Sequence, residues 1–276
     1  MKKKEVQEIL NQLKIIPKKK LGQNFLIDNN IANKFIIESN LSNDEDIVLE
    51  IGPGLGALTE LLVKKAKKVY AVEIESEFCS FLSEKFSNCK NLEIIHGDIL
   101  EIELPLHYNK VISNIPYSIT GPLLEKVFYK GKPAFGVLTV DKKIGERMFI
   151  TKSHQNFSRI SVTLNSFMEP IKKYNISHNC FYPIPNIDLL MVVLKPKEKV
   201  NEFLLDAKNV DYYLRFVAGI MPYKNKNLIN ALKLYLKKDK EELMQKLQGT
   251  NFKNDKLFNL EIDDFINLSK IFQTQN

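Results

Sequence analysis

The chain has 276 residues, of which 44% are hydrophobic, and it carries a formal net charge of +7. That apolar content is ordinary for a soluble globular protein, and the longest strongly apolar run, residues 189–194, is far too short to span a bilayer. Three cysteines without a paired framework and four scattered histidines disfavour disulfides and metal binding.

These properties predict a cytoplasmic protein with no membrane partner and no metal. Nearly all of the positive charge is lysine, because arginine occurs only at Arg147, Arg159 and Arg215. Lysine contacts phosphate as a point charge and makes no bidentate contact with a base edge. A nucleic-acid partner would therefore be bound mainly through its backbone, in a salt-dependent way.

Hydrophobic periodicity predicts an amphipathic helix at residues 4–13, a basic loop at 17–20 and a second helix at 29–39. Short buried strands then alternate with helical patterns. The strands are predicted at residues 47–51, 69–73, 92–95, 110–113 and 134–140. The helices are predicted at residues 56–66, 75–87, 120–129 and 141–150. This alternation predicts a Rossmann-like α/β fold, in which a parallel sheet carries helices on both faces.

Residues 157–195 predict a helix followed by two strands, and the charged stretch 195–199, broken by Pro196, marks a domain boundary. Helical patterns follow at residues 209–221, 226–238, 240–248 and 262–272. We therefore predict a larger domain over residues 1–196, with an N-terminal segment at 1–28, and a smaller all-helical domain over residues 197–276.

The turn after the first predicted strand has glycine at 52, 54 and 56, so its backbone can turn tightly and approach a ligand closely. Glu73 ends the second strand, where a carboxylate can accept hydrogen bonds from both ribose hydroxyls. Asp98 follows the third strand and is placed either to accept from a cofactor adenine or to cap its own turn. These residues predict a nucleotide-type cofactor, and the glycine pattern alone leaves NAD open.

The turn Asn114-Ile115-Pro116-Tyr117 follows the fourth predicted strand and favours methyl transfer over hydride transfer. An adenine amino nitrogen is a poor nucleophile, because its lone pair is delocalised into the ring. The Asn114 side-chain carbonyl and a neighbouring backbone carbonyl can accept its two hydrogens and favour a pyramidal nitrogen. Pro116 stiffens the turn, and Tyr117 offers a ring on which the base can stack.

Over roughly residues 15–240 the chain resembles the ribosomal RNA small-subunit adenine N6-dimethyltransferase family. The resemblance is carried by LGQNFL at residues 21–26, EIGPGLGALT at 50–59, Gly97-Asp98, NIPY at 114–117 and FYPIPNID at 181–188. It implies S-adenosylmethionine as methyl donor and dimethylation of two adjacent adenosines in a hairpin loop near the 3′ end of small-subunit rRNA. The expected partner is the immature small ribosomal subunit, held partly by the helical domain at 197–276, and we expect a monomer.

By position, the resemblance implies a role for ten residues. Cofactor contacts fall on Asn24, Leu26, Gly52 and Gly54 (the glycine loop, along the methionine part), Glu73 (ribose), Asp98 (adenine) and Asn114. The catalytic residues implied are Asn114 for the target amine, Pro116, Tyr117 and, as the opposite wall of the base sandwich, Phe181.

Two segments depart from the family pattern where RNA contacts are expected. Residues 141–143 read Asp-Lys-Lys where the family usually has a glutamine before the basic residue, and residues 223–227 replace an Arg-Arg-Lys run. The alternatives are a large-subunit methyltransferase of the macrolide-resistance type, a mainly non-catalytic rRNA-binding assembly factor, an NAD-dependent oxidoreductase and a DNA adenine methylase. The residues at 52–56 favour the small-subunit branch, because the large-subunit enzymes usually have lysine in this turn.

Overall fold

The structure is a computed structural model that describes residues 1–18, 22–130, 134–149 and 157–273. Parts of four predicted segments lie outside the described residues. They are residues 19–20 of the predicted basic loop, residue 21 of the LGQNFL motif, residue 150 of the helix predicted at 141–150 and the last three residues of the domain predicted at 197–276. The chain forms two compact units, Met1–Glu146 with Glu169–Pro196, and Arg147–Met168 with Lys197–Asn276.

The first unit begins with helix α1 (Lys3–Gln12), the short strand β1 (Phe25–Leu26) and helix α2 (Asn29–Ser39). Asp28 caps the start of α2, because its Oδ1 accepts from the backbone N–H groups of Asn30 (2.7 Å) and Ile31 (3.0 Å). The alternating region follows.

Its strands are β2 (Ile47–Ile51), β3 (Lys68–Glu73), β4 (Leu92–His96), β5 (Lys110–Ser113) and β6 (Phe135–Asp141). Its helices are α3 (Thr59–Leu62), α4 (Ser76–Lys85), α5 (Thr120–Leu124), which runs into a π-helical turn (Glu125–Tyr129), and α6 (Lys142–Met148). After α7 (Arg159–Phe167) come β7 (Met168–Ile176), β8 (Phe181–Tyr182) and β9 (Leu189–Pro196).

Seven strands form one sheet in the order β4-β3-β2-β5-β6-β9-β7. The strands from β4 to β6 pair in parallel, and β9 pairs antiparallel with β6. The predicted Rossmann-like α/β fold is therefore confirmed. Strand order reverses between β2 and β5, which is where open parallel sheets bind ligands.

The strand interiors are apolar on both faces, as expected of a parallel sheet covered by helices. Val48 and Leu49 of β2, Val111 and Ile112 of β5 and Val137 of β6 are fully buried. The buried hydroxyl of Ser113 donates to the Ile51 carbonyl, which joins the carboxyl ends of β2 and β5 beyond their last paired residues.

The second unit contains α7, α8 (Ala207–Ile220), α9 (Leu228–Leu236), α10 (Lys240–Leu247) and α11 (Ile262–Phe272). It departs from the predicted division at residue 196 by including residues 147–168. The physical reason is packing, since the Ser166 hydroxyl lies 2.7 Å from the buried Tyr213 hydroxyl and the Phe167 ring meets the Tyr213 ring at 6.5 Å. In the described residues, no helix combines the length and apolarity needed to cross a bilayer.

Candidate active site

A cavity of the first unit opens at the carboxyl ends of β2, β3, β4 and β5. It is lined by eight of the ten residues predicted for the site: Asn24, Leu26, Gly52, Gly54, Glu73, Asp98, Asn114 and Pro116. Tyr117 and Phe181 lie outside this lining. Parallel strands present their carboxyl ends at one edge of the sheet, which is why residues far apart in sequence meet here.

The glycine loop, the N-terminal motif and the NIPY turn approach one another at Pro116. Gly52 has a φ of +66°, and a Cβ there would lie 3.6 Å from Pro116 Cδ. Gly22 has a φ of +63°, and its Cβ would lie 3.4 Å from Pro116 Cα. Both positions need the left-handed backbone that glycine adopts without strain, so the three motifs are placed together by backbone geometry.

Asn114 is held in one orientation by two hydrogen bonds. Its Nδ2 donates to the Asn24 carbonyl at 3.1 Å, and its Oδ1 accepts from the Tyr117 hydroxyl at 3.4 Å. The amide nitrogen is therefore committed to the N-terminal segment. Because a carbonyl oxygen has two lone pairs, Oδ1 retains one for a further donor.

Glu73 is a buried carboxylate that joins the glycine loop to the turn after β3. It accepts from the backbone N–H groups of Gly54 (3.0 Å), Ile74 (2.9 Å) and Glu75 (3.1 Å). Burial raises the pKa of Glu73 above its ordinary value, and these three donors oppose that shift. Hydrogen bonding orients the carboxylate at the cavity wall.

Sequence reasoning missed Glu50, the acid that precedes the glycine loop by two residues. It is 2% exposed, lines the cavity and accepts from the Thr59 hydroxyl at 2.7 Å. Burial raises its pKa to about 8, and the nearby Glu73 adds to the shift. An acid inside an otherwise apolar strand was the signal available, because charged residues are rarely fully buried without a reason.

Asp98 lines the cavity and also caps its own turn. Its Oδ1 accepts from the Leu100 N–H at 2.8 Å, and its carbonyl accepts from Glu101 and Ile102. The two interpretations offered by the sequence are therefore compatible, since capping occupies one carboxylate oxygen and fixes the direction of the other.

As a wall of the base-binding site, the Phe181 ring would be expected at an open surface, but the structure buries it. It is 1% exposed and packs in a hydrophobic cluster that includes Leu26, with the half-buried Tyr117 against the same cluster. The pairing of β8 with β1, in which Phe181 faces Leu26, accounts for this burial. Burial also raises the pKa of the Tyr117 hydroxyl, which keeps it a neutral donor.

The cavity fits S-adenosylmethionine better than a dinucleotide. Two buried carboxyl groups, Glu50 and Glu73, line the cavity. A cofactor with a sulfonium and an ammonium charge would favour their ionised forms, whereas the pyrophosphate of NAD would disfavour them. The glycine cradle at Gly52 leaves the backbone free to approach a ligand. Fold and site together define an S-adenosylmethionine-dependent methyltransferase.

Comparison with known proteins agrees with this class. The family described as Ribosomal RNA adenine dimethylase matches residues 16–274. The chain is 36% identical over 269 residues to the ribosomal RNA small subunit methyltransferase A of Fusobacterium nucleatum, covering 93% of this chain and 97% of that protein. It is 40% identical over 220 residues to the protein of the same name from Mycoplasma mobile, covering 78% of this chain and 83% of that protein.

A crystal structure of a dimethyladenosine transferase from Plasmodium falciparum superposes with a TM-score of 0.75 at 27% identity, covering 88% of this chain and 95% of that chain. The chain belongs to the ribosomal RNA adenine dimethylase family. The predicted family, enzyme class and cofactor are thereby confirmed. In the described part of the chain, no cluster of three or more histidine, cysteine or acidic side chains is arranged to hold a metal ion.

Replacing Glu73 by glutamine is expected to raise the Kd for S-adenosylmethionine at least about tenfold, because hydrogen bonds to a charged group contribute about 1.5–3 kcal/mol each. Glutamine keeps only one acceptor oxygen, so either the Gly54 N–H or the N–H groups of Ile74 and Glu75 lose their partner, and thermal unfolding of the variant checks that the fold is kept. Isothermal titration calorimetry measures the affinity, with the exposed Glu77→Gln as matched control. Equal Kd values for both variants would contradict the role given to Glu73.

Proposed function

We propose that this enzyme transfers methyl groups from S-adenosylmethionine to the N6 amine of two adjacent adenosines in a hairpin loop near the 3′ end of small-subunit rRNA. The observation that supports this most directly is the oriented Asn114 amide, whose Oδ1 is held beside the cavity predicted to bind the methyl donor. The relatives named ribosomal RNA small subunit methyltransferase A support the choice of RNA.

In this mechanism the chain positions the reactants and supplies no nucleophile. When bound, S-adenosylmethionine supplies an electrophilic methyl group on its sulfonium. In the first transfer Asn114 Oδ1 accepts one hydrogen of the adenine amine, a backbone carbonyl of the rigid turn accepts the other, and the nitrogen lone pair is directed at the cofactor side of the cavity. Each transfer releases one proton from the nitrogen to solvent, so a single hydrogen remains to be held in the second transfer. Catalysis then rests on orientation and on fixed dipoles.

Tyr117 and Phe181 are proposed as the two surfaces that hold the flipped base. Both belong to one hydrophobic cluster, so opening the space between them requires that part of the cluster to separate. The energy for this step would come from base stacking on the aromatic rings, which contributes about 1–3 kcal/mol per base. The raised pKa of Tyr117 means that its hydroxyl orients Asn114 rather than removing a proton.

Residues 197–276 are proposed as the RNA-holding helical domain and residues 1–196 as the catalytic domain, with residues 147–168 of the latter grouping with the helical unit. The two departures from the family pattern have structural partners: Asp141 Oδ1 caps α6 through the Lys143 N–H at 2.7 Å, and Lys224 Nζ donates to the Phe157 carbonyl at 2.6 Å. We infer that other lysines carry the phosphate contacts. The immature subunit as partner, a monomeric state and a cytoplasmic location belong to this proposal.

Mass mapping of methylated adenosines in total rRNA tests the proposal, in cells with and without the gene. We expect dimethyladenosine near the 3′ end of small-subunit rRNA to disappear with the gene, and purified protein to restore it on isolated immature small subunits. Loss of methylation from large-subunit rRNA instead would establish the macrolide-resistance type of activity.

A further inference from the structure

Helix α1 lies before residues 16–274, which are the part of the chain that the family profile matches. The helix has two different faces. Val6 and Leu10 are buried, whereas Lys4 and Glu8 are exposed and form an i,i+4 ion pair at 3.7 Å. A helix with one apolar face normally buries that face against another part of the protein.

The apolar face of α1 packs against the wall of the cofactor cavity. Val6 and Leu10 share a buried cluster with Phe25, Leu55 and Phe78, and the last three line the cavity. The Phe25 and Phe78 rings meet edge to face at 5.6 Å. A Cβ on Gly54 would lie 3.1 Å from the Phe25 ring, so the same ring also rests on the glycine loop.

A second set of contacts joins α1 to the FYPIPNID segment. Gln7 Nε2 donates to the Tyr182 hydroxyl at 3.3 Å, and Lys3 Nζ lies 5.6 Å from the centre of the Tyr182 ring. Tyr182 pairs with Phe25 across the β1–β8 ladder and directly follows Phe181. The helix therefore contacts elements predicted to bind both the cofactor and the target base.

We propose that α1 is a positioning element of the methyl-donor site, whose packing through Val6 and Leu10 holds the Phe25–Leu55–Phe78 wall in its cofactor-binding arrangement. The inference rests on the proposed location of the donor in this cavity. Because coupling is reciprocal, a bound donor must also stabilise the docked helix. None of the α1 residues is placed in the chemical step.

Three single variants test this inference by cofactor binding rather than by RNA methylation. Leu10→Ala removes a buried contact, Leu10→Met conserves most of its volume, and Glu8→Ala changes the exposed face of the same helix. We expect Leu10→Ala to raise the Kd for S-adenosylmethionine about tenfold, within the range typical of coupled sites. Leu10→Met and Glu8→Ala should remain close to wild type.

The same assignment predicts a split between kinetic constants. Leu10→Ala should raise the KM for the donor and leave kcat at saturating donor unchanged, because donor binding is weakened equally in the ground state and in the transition state. In the wild-type protein, S-adenosylmethionine should slow hydrogen exchange of the α1 amides. A lowered melting temperature with unchanged Kd would make α1 a structural helix only, and absent protection by the donor would also overturn the proposal. The Kd and the hydrogen-exchange rates are measured without RNA, so these two tests do not depend on which RNA the enzyme methylates.

Discussion

Asn114→Ala is expected to lower kcat for adenine methylation by about 10²–10³-fold, the usual loss when one preorganised hydrogen-bonding group is removed from an active site. S-adenosylmethionine binding should be retained, because Glu73, Asp98 and the glycine loop remain. The physical reason is that alanine leaves the amine nitrogen planar and unoriented. Single-turnover methylation of isolated small subunits measures the step directly.

The matched control is Asn88→Ala, which removes an exposed amide of the same size outside the site. Normal turnover by Asn114→Ala would refute the proposed mechanism. In cells, a phenotype milder than deletion of the gene would show that the protein also acts in subunit assembly without methyl transfer, as the assembly-factor alternative requires.

Glu50→Gln is expected to stabilise the protein in a pH-dependent way. The carboxyl of Glu50 has its pKa raised from 4.5 to about 8 by burial, so the folded state holds a proton that the unfolded chain releases. Its stabilising contribution is complete below pH 4.5 and is lost as the pH rises towards 8, by on the order of 1 kcal/mol per pH unit. Glutamine removes this dependence.

Urea unfolding of both proteins at pH 5, 6, 7 and 8 measures the effect. The stability advantage of Glu50→Gln should grow over this interval to a few kcal/mol and then level off, whereas the exposed Glu60→Gln should show no such growth. A pH-independent difference would mean that Glu50 is already ionised in the folded protein.

The same substitution should weaken donor binding. A cationic cofactor beside Glu50 favours the ionised carboxylate, so wild-type affinity should increase as the pH approaches 8, and Glu50→Gln should lose that increase. Stability and binding would then change in opposite directions, which is a common property of buried charges at functional sites.

The sequence pattern was sufficient to predict the sheet and the edge of the sheet at which the candidate site lies. The bounds predicted for α2, β2, β5 and α11 match the structure to the residue, because each has clear apolar periodicity and an adjacent turn or cap. The helix predicted at residues 56–66 was too long, since only Thr59–Leu62 is regular helix. The preceding residues form the turns of the glycine loop, and local propensity does not reveal where such a turn ends.

The features that the sequence pattern did not predict depend on tertiary packing. Residues 147–168 group with later helices through contacts such as Ser166 with Tyr213, which no local signal encodes. The helical pattern of α1 was predicted, but its packing against Phe25 depends on residues far along the chain. Likewise, the burial of Phe181 follows from its pairing with Leu26 and not from its own neighbours in sequence.

That pairing of β1 with β8 has a consequence during synthesis. Phe25 and Leu26 emerge from the ribosome early, yet their ladder partners, Tyr182 and Phe181, are among the last residues of the first unit to be made. Contacts so distant along the chain form late, because closing a long loop must precede them. A nascent chain that ends before Phe181 lacks the ladder partners of Phe25 and Leu26, so we expect this part of the cavity wall to form only after about two thirds of the chain has been made.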